Sequence, residues 1–157
     1  MSSLFRRHEQ TAVRRGQTLV EFALILPIFL LILLGLFDLG RAIYAYSTIS
    51  NASREAARLG IVDQVEAHLR QEALDASVSL AVDPSQVDVE FLSPSESGPC
   101  NIAGSMYGCI TVVTIDYSFG AATPGVAALV GDITLTATTH TPVETKCLDP
   151  ATCPLGD

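Results

Sequence analysis

The chain has 157 residues, 48 % of them hydrophobic, and a formal net charge of −8. That length holds one modest domain plus an appendage, and the acidic balance gives no support for nucleic-acid binding. The sequence contains no phosphate-binding glycine loop, no HExxH and no GxSxG, so the commonest nucleotide-binding and hydrolytic signatures are absent.

The chain opens with a basic stretch. Residues 1–16 carry Arg6, Arg7, Arg14 and Arg15 against Glu9, a balance of +3, and read as a leader that is too polar and short to be a domain. An apolar run follows. Leu19 to Phe37 holds nineteen residues with Glu21 as the only charge, and Phe22 to Phe37 holds none. As a helix the nineteen would reach about 28 Å, close to the thickness of a bilayer's hydrocarbon core. The reading is therefore a transmembrane helix over 17–40. Secretory signal peptides have shorter apolar cores and small residues at a downstream cleavage site, so this run reads as retained. Arginines before it hold that side in the cytoplasm, and residues 42–157, with a balance of −10, face outward. The expected topology is a single crossing of a membrane, with the N-terminus inside and the C-terminal domain outside.

Pro27 interrupts the apolar run, removing one helical hydrogen bond, a break that is tolerated in a membrane when neighbours cover it. Over 41–62 the spacing of Ala42, Ala45, Tyr46, Ile49, Ala52, Ala56 and Leu59 continues the helix, and its alanine-rich stripe suits packing against neighbouring helices. Leu59-Gly60 marks a stop. Asp63-Gln64-Val65-Glu66 then looks like a capping box opening a second helix with Val65, Leu69, Ala73, Ala76 and Leu80 inward, ended by Asp83-Pro84. Glu66 and Arg70 are spaced for an ion pair along it.

Beyond that the period becomes two. Val87, Val89 and Phe91 alternate with Asp88 and Glu90; Cys109 to Phe119 is the strongest strand; Ile133 to His140 is a third. A Pro/Ser/Gly loop fills 93–108, and a short helical turn at Val126–Val130 connects the last two strands. The expected outer domain, 63–157, is α+β: the second helix packed on a small antiparallel sheet of about three strands. A core that small gains from covalent loops.

All four cysteines, Cys100, Cys109, Cys147 and Cys153, fall in this outer part. Three pairings are possible, and two local disulfides are the expectation in an oxidising compartment. Their spacing and the distant histidines do not suit a metal, and no cofactor is expected. Catalysis is not expected either: neither His68 nor His140 has a nucleophile or carboxylate pattern beside it, and the enzyme alternative would rest on His140 or Asp116.

Glu21 remains to be explained, since a carboxylate in a membrane segment costs on the order of 2–3 kcal/mol at the centre and less near an end. If the chain were cut after Gly16, Glu21 would be the fifth residue behind a new amino terminus at Gln17. One turn along the helix, it could compensate that ammonium or one on an adjacent chain, far more strongly than in water. Gly16, Glu21-Phe22, Pro27, Gly35-x4-Gly40-Arg41 and Arg54-Glu55-Ala56-Ala57-Arg58 together resemble a TadE-like pseudopilin of the Flp/Tad (type IVc) pilus system, densely over 14–60. The resemblance implies cleavage at Gly16/Gln17 by a prepilin peptidase and a minor or priming role in pilus assembly, without catalysis. Its implied partners are other pilins through the N-terminal helix, the peptidase and the assembly platform. Gln17 is a departure, because it can cyclise and lose its charge. The alternative is an uncleaved single-pass envelope protein whose outer domain is a binding module.

Overall fold

The computed structural model describes residues 6–95, 98–100 and 107–144. Helix α1 runs from Arg6 to Leu59 as one piece of 54 residues, about 80 Å long. It begins inside the basic leader, so the Gly16–Gln17 bond lies within continuous helix. Pro27 sits inside α1 without ending it. None of the residues in the most apolar stretch is buried by the rest of the chain. The helix is long and apolar enough to cross a membrane, and this exposed stem marks a single-pass, membrane-anchored protein.

The outer part of α1 behaves differently. Ala45, Ile49, Ala52, Ala56 and Ala57 are buried, the last four in the core that the chain builds with its own sheet. The alanine stripe expected to face neighbouring helices is thus already covered. Small side chains let the sheet approach closely, and Ser53 completes the contact through a 2.8 Å hydroxyl pair with Thr139.

α1 stops at Gly60, where a Cβ would stand only 2.7 Å from Thr111 Cγ2 and 2.9 Å from its Oγ1. Helix α2, Glu66–Ala76, follows, with Leu69 and Ala73 buried and Ala76 exposed. The expected capping box at Asp63 does not form: the N-cap is Val65, without a side-chain cap. Asp63 instead accepts from the Val65 N–H at 2.9 Å and lies 2.7 Å from His68 Nδ1. Asp83 holds the capping box, over the 3-10 turn Pro84–Gln86. It accepts from the Ser85 N–H, and Gln86 reaches back to the Asp83 N–H. α2 ends earlier than expected, at the buried Ser77, whose hydroxyl returns to the Ala73 carbonyl at 2.7 Å and closes the last turn. The Glu66–Arg70 pair forms as the spacing predicts.

Three antiparallel strands, β1 (Val87–Leu92), β2 (Ile110–Gly120) and β3 (Asp132–Pro142), pair in the order β1-β2-β3. The register sets Val87, Ile115 and Ala137 in one row and Val89, Val113 and Thr139 in the next. These inward rows meet α1 and α2, giving the expected α+β layering. Residues 41–62 and the sheet therefore share one core. A disulfide joins Cys100 to Cys109, Cα atoms 5.9 Å apart, closing the loop between β1 and β2. Cys147 and Cys153 lie outside the described residues. Between β2 and β3 the chain forms α3, Pro124–Val130.

Candidate functional site

The chemistry singled out by the sequence lies on the stem. Gly16, Gln17, Glu21, Phe22 and Pro27 all stand exposed on α1, well away from the sheet. A Cβ at Gly16 would meet nothing within 4 Å, so packing places no demand for glycine there. Gln17 and Glu21 are four residues apart and share one helix face. Phe22 is exposed beside them, and a helix this apolar needs lipid or other helices around it.

A second polar centre was not legible in the sequence: Asp38, the residue that ends the apolar run. Only 4 % of it is exposed. One carboxylate oxygen accepts from the Ala122 N–H at 3.0 Å and from Arg41 Nη1 at 3.2 Å, the other from the Thr123 N–H at 3.1 Å. Thr123 is the N-cap of α3 and makes no side-chain cap of its own, so Asp38, reaching from α1, meets the donors at that helix start. The Arg41 guanidinium also lies 5.4 Å from the centre of the Phe119 ring. Together these contacts fasten the β2–β3 connection to the stem at the top of the apolar segment. The available signal was a carboxylate three residues before an arginine at the edge of a membrane run. Its partners, eighty-four residues away, carry no motif.

The residues that would support an envelope enzyme do not converge. His140 pairs with Val112 across the sheet and Asp116 with Thr136, four rungs apart, about 13 Å along the strands. The Asp116 carboxylate accepts from the Thr136 hydroxyl. Among the described residues no group of three or more His, Cys, Asp or Glu is placed to hold a metal ion.

The family model described as TadE-like protein matches residues 16–58. Over this segment the chain is similar to the TadE-like family. The match begins at Gly16 and ends one residue before α1 does, so it covers the stem, Asp38, Arg41 and the alanine stripe under the sheet. The sheet lies beyond the matched segment, although four of the twelve buried residues in its core, Ile49, Ala52, Ala56 and Ala57, come from that segment. No curated protein and no solved structure matches the chain.

Proposed function

We propose that the protein is a pseudopilin of the Flp/Tad pilus machinery, cut between Gly16 and Gln17 and built into, or priming, pilus assembly. The observation that supports this best is the place where the TadE-like match starts: at Gly16, between four arginines and an exposed apolar helix with Glu21-Phe22 in its first turns. Removal of the leader would turn Gln17 into an amino terminus one helical turn from Glu21. In hydrocarbon that pairing, within one chain or between two, would set the depth and register of neighbouring stems. The protein acts as a structural subunit: its stem packs among other pilin stems, and its sheet domain, on the outer side, meets partners.

The decisive experiment is the mass of the mature protein from cells with and without the prepilin peptidase. Loss of residues 1–16 only when the peptidase is present is the expected result, and an intact leader in competent cells overturns the processing claim. The helix running unbroken from Arg6 through Gly16 favours a second reading, an uncleaved envelope anchor with a binding domain, and that intact mass is what it predicts. On the pilin reading, Glu21→Ala abolishes assembly while the sheet domain stays folded.

A further inference from the structure

A second contact with the bilayer follows from the position of α3, and it rests on α1 being the membrane span. Leu31 and Gly35 belong to the apolar run that ends at Phe37, and both lie against α3. A Cβ on Gly125 would stand 3.3 Å from Leu31 Cδ2, and one on Gly35 4.0 Å from Val126 Cγ2. Leu31 lies about 9 Å deeper along the helix than Phe37. The connection between β2 and β3 therefore reaches below the end of the apolar segment instead of stopping at the level of Asp38.

Its composition suits that depth. Residues 117–131 contain no Asp, Glu, Lys, Arg or His, and the nearest charges, Asp116 and Asp132, lie on the strands at either side. Val130 is 53 % exposed and Ile133 40 %, with Ala128 also on the surface. An apolar groove of about 220 Å³ separates α3 from the stem, lined by Leu39, Ala42, Phe119, Val126, Val130 and Ile133 among others. Polar backbone groups at that depth need partners, and the Asp38 carboxylate accepts from the N–H groups of Ala122 and Thr123, the two residues that lead into α3. Exposed Tyr44 and Tyr46, on the turns above, are aromatic residues of the kind that sit at a membrane–water boundary.

We propose that residues 121–131 insert as an apolar wedge into the leaflet on the sheet domain's side, with acyl chains covering Val130 and filling the groove. The wedge gives the domain two points of attachment and holds it at a fixed height and rotation on the stem. It differs from a docking groove for another subunit because its surface continues that of the span, with Leu31, Leu39 and Val130 facing the same medium.

The chain contains no tryptophan, so single substitutions report cleanly on depth. Val130→Trp and, separately, Ala128→Trp replace surface residues; Phe29→Trp reports the span, and Val78→Trp, on the exposed turn after α2, reports water. Each full-length variant is reconstituted in phosphatidylcholine vesicles with bromine on the acyl chains, and its emission is compared with that in unbrominated vesicles. The expected result is strong quenching at Phe29→Trp, Val130→Trp and Ala128→Trp and none at Val78→Trp. Quenching at Phe29→Trp with none at Val130→Trp and Ala128→Trp overturns the wedge and leaves the span intact. If emission at those two positions instead shifts with protein concentration, the groove belongs to a second copy and the wedge is again overturned. An unquenched Phe29→Trp overturns the span itself, and the wedge with it.

Discussion

Asp38 gathers the Thr123 hydroxyl, the Ala122 and Thr123 N–H groups and the Arg41 guanidinium on one carboxylate, so its loss leaves them without their common acceptor. An unsatisfied buried donor costs about 1–3 kcal/mol. Asp38→Ala is therefore expected to lower stability by at least that much and to free α3 from the stem. Faster amide exchange at Ala122 and Thr123 than at the β2–β3 rungs checks it. Gly60 acts by absence of bulk. Gly60→Ala pushes a methyl into Thr111 and is expected to cost about 1–3 kcal/mol, largely recovered in the Gly60→Ala/Thr111→Ala double variant; chemical denaturation of the four proteins measures the coupling. Asp83 supplies a pH dependence. The Ser85 hydroxyl and N–H hold its carboxyl below the ordinary 3.8. Because the folded value is the lower one, the contribution is complete above the unfolded value and is lost as pH falls through the folded one. Asp83→Asn should flatten the stability profile in that acid window and lower stability by a constant amount above it, where the contribution it removes is complete; denaturant unfolding across pH measures both.

At the scale of elements, α1 has two parts of unlike chemistry. Its first part turns Leu, Ile and Phe side chains outward on all sides, as a membrane stem does. Its last part presents alanines to the sheet, and their small size is what admits the strands. Enlarging one is diagnostic: Ala56→Leu is expected to overpack the core, destabilising the domain by about 1–3 kcal/mol in denaturant unfolding. A stripe that served neighbouring subunits would leave the single chain's stability unchanged. The Cys100–Cys109 bridge spans nine residues of sequence, a short loop whose closure contributes about 2–3 kcal/mol on chain-entropy grounds. The Cys100→Ser/Cys109→Ser variant should show that loss, and the wild type should show it only under reducing conditions.

For the whole molecule, anchor and domain cannot be separated at the end of the helix. Ile49, Ala52, Ala56 and Ala57 are wholly buried and come from α1. A fragment of residues 37–157 keeps them together with Asp38 and is expected to fold, whereas 63–157 is expected to remain unfolded, as the dispersion of amide resonances will distinguish. The periodic features were legible along the chain: the apolar run, the i,i+4 pair of Glu66 and Arg70, the alternation of Val87, Val89 and Phe91, and the strands flanking the Val126–Val130 turn. Each follows from spacing along a helix or strand, and spacing is local. The proposed processing motif from Gly16 to Phe22 is likewise read from adjacent residues in a fixed order. What covers the alanine stripe, why Gly60 must be glycine, and that Asp38 holds the approach to α3 emerge only once the chain is folded. Those outcomes depend on which surfaces meet across some fifty to eighty residues, and a side chain's type does not encode its distant partner. The misplaced capping box has the same origin: Asp63 and Asp83 carry equally good local signals, and the chain's path around Gly60 turned the first toward His68 instead.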